Sequence, residues 1–79
     1  MNAQEIEALL RAGLEDCQVS VSGEGGHFDI LVVGEMFAGL RAVKKQQLVY
    51  AVLNERITDG SIHAVNIRTL TPGEYQEQS

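Results

Sequence analysis

The sequence predicts an α+β fold, a single two-layer domain in which helices lie on one face of a three-stranded mixed sheet. Two segments read as adjacent strands. In 17–22 the apolar residues alternate, while His27-Phe28-Asp29-Ile30-Leu31-Val32-Val33 is apolar on both faces toward its end. Gly23-Glu24-Gly25-Gly26 joins them at hairpin length. A longer segment, 42–57, carries apolar residues at helical spacing and returns the chain to a third strand, 62–70. A crossover of that length pairs the second and third strands in parallel, with a right-handed connection.

Each element has its own signals. Asn2 is a side-chain cap for a first helix, with Glu5 three residues on as in a capping box. Ile6, Leu9, Leu10 and Gly13 or Leu14 form its apolar face, and Gly13 ends it. The acidic pair Glu15-Asp16 leads into the first strand, where Cys17, Val19 and Val21 share a face. Phe28, Ile30 and Val32 line one side of the second strand. His27 has the opposite parity, with Asp29, beside a glycine-rich and therefore mobile turn. Residues 34–39 form a break or one short helical turn. Val43, Leu48, Val49, Val52, Leu53 and Ile57 make the apolar face of the long helix, and Asp59-Gly60 closes it. In the third strand His63 shares the parity of Val65 and Ile67, which predicts a partly buried histidine bonded to backbone. Thr71-Pro72 then caps a short final helix that frays by Gln76.

Composition narrows the function classes. A chain of 79 residues holds one domain, 1–79, with a modest core, and 44% hydrophobic content is too apolar for a disordered chain. Six Lys and Arg against eleven Asp and Glu give a net charge of -5, which disfavours a phosphate-binding module. A single cysteine excludes an intrachain disulfide framework and a self-contained four-cysteine metal site. The first residues lack the basic and apolar regions of a secretory signal, and no apolar run approaches the ~20 residues of a bilayer span. The expectation is a cytoplasmic protein with no membrane partner.

Little catalytic chemistry is on offer. Cys17 stands in line with two valines and reads as a small buried hydrophobe rather than a nucleophile. No serine sits in an elbow pattern, and there is no Walker-type or GxGxxG loop, so the expectation is a protein that is not an enzyme. Gly23-Glu24-Gly25-Gly26 matches GxxG literally, but a nucleotide-clamping loop of that kind joins two helices and this one joins two strands. What remains is the pair His27 and His63. Two histidines are too few for a zinc site and sufficient for half of a site shared with a partner.

Several motifs in order resemble the BolA family: Gly26-His27-Phe28 before an apolar strand, Phe37-Ala38-Gly39, Leu48-Val49-Tyr50, Ile62-His63-Ala64 and Leu70-Thr71-Pro72. Val43-Lys44-Lys45-Gln46-Gln47 and the short length resemble its IbaG (YrbA-like) bacterial branch. The resemblance covers essentially the whole chain. It implies an αββααβα fold, class II KH-like but without a GxxG loop between helices. It also implies partnership with a monothiol glutaredoxin and a [2Fe-2S] cluster shared with that partner and glutathione, none being held by the chain alone. The family's C-terminal ligand histidine falls on His63. Its second ligand, from the loop between the first two strands, falls on His27, and Cys17 lies before that loop and does not inherit the role. Transcriptional regulation and a link to acid or envelope stress are also known in the family.

Three readings follow. The first is a non-enzymatic iron–sulfur assembly, trafficking or sensing module. The second is a DNA-binding regulator using Arg41, Lys44 and Lys45 at the start of the long helix, where BolA proper carries Arg-His in place of Lys45-Gln46. The third is a partner-binding domain with structural histidines, and the sequence also leaves homodimerisation open. Imidazole must be neutral to bind metal, so acidification toward ~6.5 and below weakens a histidine-ligated cluster. The visible absorbance of the glutaredoxin complex is therefore expected to fade between neutral and mildly acidic pH; an unchanged spectrum contradicts histidine ligation.

Overall fold

The computed structural model describes residues 2–14 and 16–78, the last by its backbone alone; the Glu15 half of the expected acidic pair lies outside them. Helix α1 spans Ala3–Gly13 and opens with the expected capping box. The Glu5 amide donates to Asn2 Oδ1 at 2.8 Å, and the Asn2 amide donates to Glu5 Oε1 at 3.3 Å. Strand β1 (Gln18–Glu24) pairs antiparallel with β2 (His27–Val33), and β2 pairs parallel with β3 (Ala64–Leu70), so β2 is central. A 3-10 turn, Glu35–Phe37, leads from β2 toward α2 (Ala42–Thr58), and α3 (Pro72–Gln78) closes the chain.

The core lies between α1, α2 and one sheet face. Ile6, Leu10, Val32, Phe37, Val49 and Leu53 are its largest fully buried side chains. Phe37 belongs to the segment expected to be a break or one short helical turn; the turn forms, and Phe37 is wholly enclosed. The other face buries less. Val33 and Leu70 oppose each other in register there, and Tyr75 of α3 lines a groove with Val33 and Leu31. The start of α3 is fixed by a second capping box: Thr71 N–H donates to Glu74 Oε1 at 2.9 Å, and Glu74 N–H donates to Thr71 Oγ1 at 3.3 Å.

Three expectations need correcting. Val43 is 70% exposed rather than part of the core face. It lies six residues before Val49, and at about 100° per residue that places it roughly 120° from the buried direction. Gly13 ends α1 as expected, and it also permits a close approach. A Cβ there would stand 2.8 Å from Val52 Cγ2 on α2, so the glycine lets the two helices cross. The first strand starts at Gln18 instead of Cys17 and runs on through Glu24, and the third starts at Ala64 instead of Ile62. The turn between β1 and β2 therefore shrinks to Gly25-Gly26, both at positive φ (65° and 83°), the signature of a tight type I′ hairpin.

That hairpin requires one further glycine. Gly23 has φ 122°, and a Cβ there would overlap the His27 carbonyl oxygen, whereas a Cβ at Gly25 meets open space. Gly25→Ala is expected to cost about 1 kcal/mol, the price of a left-handed alanine, and Gly23→Ala roughly 3 kcal/mol or more because backbone must also move. Urea denaturation of the two variants checks the order; equal losses would contradict the geometry.

Candidate functional site: a histidine pair at the hairpin end of the sheet

The two histidines lie at the same end of the sheet because β3 begins at the level where β2 begins. In the parallel register His27 pairs with Ala64, the residue after His63, and adjacent strands run ~4.8 Å apart. The Gly26 carbonyl oxygen accepts two N–H donors, from His63 at 2.8 Å and from Ala64 at 3.0 Å. One peptide group thus ties the residue before His27 to both His63 and its neighbour. Two steps along the same register, Asn66 Nδ2 donates to Asp29 Oδ1 at 3.0 Å, a side-chain clasp on the face His27 shares.

Both imidazoles are exposed. His27 stands directly after the Gly25-Gly26 turn, as expected. It is the first residue of the central strand, paired with Glu24 on one side and Ala64 on the other. His63 is not partly buried. It precedes β3, and its ring lies against Gly26, where a Cβ would overlap ring carbon Cδ2. The absent side chain of Gly26 is therefore the space the His63 ring occupies. Spacing could not reveal this role; its one trace in the sequence is the glycine immediately before His27. No group of three or more His, Cys, Asp or Glu able to hold a metal is present among the described residues, so the pair is what this chain brings.

Cys17 is separate from that pair. It is half-buried, packs at the margin of the core, and its thiol approaches Met36 Sδ at 3.4 Å. It borders a groove of about 560 Å³ together with Arg11, Leu31 and Tyr75, and neither histidine lines that groove. Burial, and secondarily the Asp16 carboxylate, push its pKa up. The three cations at the start of α2 differ among themselves. Arg41 holds the N-cap position and Lys44 is exposed, but Lys45 is half-buried beside Glu74. The Thr71 backbone N–H, then its hydroxyl, hold the Glu74 carboxyl below its ordinary range, and Lys45 adds to this. No helix of the described residues is long and apolar enough to cross a membrane.

Comparison with known proteins gives a consistent outcome. The family model described as BolA-like protein matches residues 5–74. The chain is 48% identical over 75 residues to the acid stress protein IbaG of Escherichia coli strain K12, covering 95% of this chain and 89% of that one. It is 40% identical over 57 residues to the DNA-binding transcriptional regulator BolA of Vibrio cholerae, covering 72% of this chain and 53% of that protein. Among solved structures, a BolA homologue from Coxiella burnetii superposes with a TM-score of 0.86 at 32% identity, covering 96% of this chain and 97% of that one.

A raised thiol pKa means less thiolate at neutral pH, and thiolate is the nucleophile. Iodoacetamide is expected to alkylate Cys17 more slowly in the folded protein at pH 7.5 than after unfolding in urea. Equal rates would show an accessible, unperturbed thiol.

Proposed function

Because the chain belongs to the BolA-like protein family, we propose that it catalyses no reaction of its own and acts by partnering a monothiol glutaredoxin, with a [2Fe-2S] cluster shared between them. The observation that carries this reading is the pair of exposed imidazoles held at one end of the sheet, with no third metal-binding side chain grouped with them among the described residues. A [2Fe-2S] cluster takes four ligands, and histidines can replace two of the thiolates. The donor set fits one half of that requirement. A partner cysteine and a glutathione thiol fit the other half.

When bound, such a cluster supplies one-electron redox chemistry and a transferable store of iron and sulfide. This chain's part is to present and orient. His63 and His27 would each offer a ring nitrogen, the Gly26 carbonyl fixes the backbone that bears both, and the Asp29–Asn66 clasp stiffens the strands behind them. Their exposure leaves room for a second protein to close the site. The role is in iron–sulfur assembly or trafficking, or in sensing iron, redox state or acid stress, and the name of the Escherichia coli relative favours the acid-stress context.

The second reading, a DNA-binding regulator, is favoured by the name of the Vibrio cholerae relative and by the exposure of Arg41 and Lys44. Against it stand the net charge of -5 and the half-burial of Lys45. Under that reading duplex DNA binds at physiological salt and dissociates steeply as salt rises.

The deciding experiment co-expresses the chain with a monothiol glutaredoxin and measures cluster content by visible absorbance and by iron and sulfide analysis. His63→Ala is expected to lose most of the cluster, His27→Ala a substantial share, and Cys17→Ala none. Full content in a folded His63→Ala complex would overturn the assignment.

A further inference from the structure

Helix α2 carries a surface that neither the core nor the histidine pair explains. From Gln46 to Asn54 it has no charged residue, in a chain that is 22% charged. Five of those nine residues, Gln46, Gln47, Tyr50, Ala51 and Asn54, are exposed. A helix face meant for water normally carries charge, and depletion of charge together with an exposed tyrosine marks an interface. The apolar members of this face are Val43, 70% exposed, Tyr50, 39% exposed, and Ile57, half-buried. With Gln47 and Asn54 they fall at 43, 47, 50, 54 and 57, the alternating four-three spacing of a helix–helix seam.

We propose that this stripe pairs two copies of the chain through antiparallel α2 helices across a two-fold axis near Tyr50. The spacing is self-complementary about that point. Turned end for end, Val43 meets Ile57 of the second copy, Gln47 meets Asn54 within one residue, and Tyr50 meets Tyr50. The charges agree. Lys44 and Glu55 lie along the same flank of the seam, within about 20° of each other around the helix axis, and neither has an ion-pair partner among the described residues. An antiparallel two-fold arrangement sets each Lys44 against the other copy's Glu55, giving two symmetric pairs. A parallel pairing would bring Lys44 level with Lys44. The helix is roughly 25 Å long, so the contact is small, near the low end of specific interfaces, and the dimer is weak.

Sedimentation equilibrium of the purified full chain, from about 10 µM to about 500 µM, tests this, with circular dichroism verifying that each variant is folded. The expected result is a monomer–dimer equilibrium. Tyr50→Asp occurs twice in the interface, so an anchor loss of about tenfold per copy weakens the dimer about a hundredfold. Lys44→Glu weakens it and Lys44→Glu with Glu55→Lys restores it. A chain that stays monomeric throughout overturns the proposal. So does a dimer that tolerates Tyr50→Asp and Lys44→Glu, or stripe variants that alter only glutaredoxin capture. Because the readout is mass without any cluster, its failure is distinct from failure of the iron–sulfur reading.

Discussion

The bond on which this structure turns is the double acceptance at the Gly26 carbonyl oxygen, which takes N–H donors from both His63 and Ala64. It fixes where β3 starts relative to β2 and thereby sets the whole parallel register, from His27 opposite Ala64 to Val33 opposite Leu70. Other features serve that junction. The Gly25-Gly26 turn delivers the carbonyl, Gly23 leaves room for the His27 backbone, and the long helix α2 carries the chain back to the same end of the sheet. A register slipped by one residue would reverse the faces of every β3 side chain.

Much of this was legible in the sequence because local chemistry determined it. The Asn2–Glu5 capping box and the Thr71 cap are short-range motifs and both form, the second with Glu74 as a reciprocal partner that the sequence reading did not name. The apolar run Phe28–Val33 gave the central strand, and the length of the crossover gave its parallel partner. What stayed hidden depends on contacts distant in sequence. Gly13 read as a helix terminator, and its second use is the approach of Val52 from another helix. Val43 counted as core by type, and only the angle from Val49 and Leu53 puts it on the flank. Parity placed His63 on the core side, yet β3 starts one residue later and leaves its ring outside against Gly26. The family resemblance named both histidines; the register explains how they come to the same end of the sheet.

The arrangement suits a protein completed by others. The core is built from small and medium aliphatics with two phenylalanines, and the polar chemistry is exposed at the margins. One imidazole opens the central strand and the other stands one residue before β3 with its backbone N–H bonded to the Gly26 carbonyl, so little order has to be gained when a partner closes the site. In the proposed complex the partner supplies the thiolates and this chain the histidines. The lone cysteine, half-buried with a raised pKa, stays out of that chemistry.

Pulsed EPR of the reduced glutaredoxin complex, with this chain alone carrying 15N-labelled histidine, tests the central claim most directly. The account predicts strong hyperfine coupling of the electron spin to labelled imidazole nitrogen, weakened in the cluster that remains when His63 is replaced by alanine and His27 is left. A reduced cluster with no coupling to labelled nitrogen would contradict it.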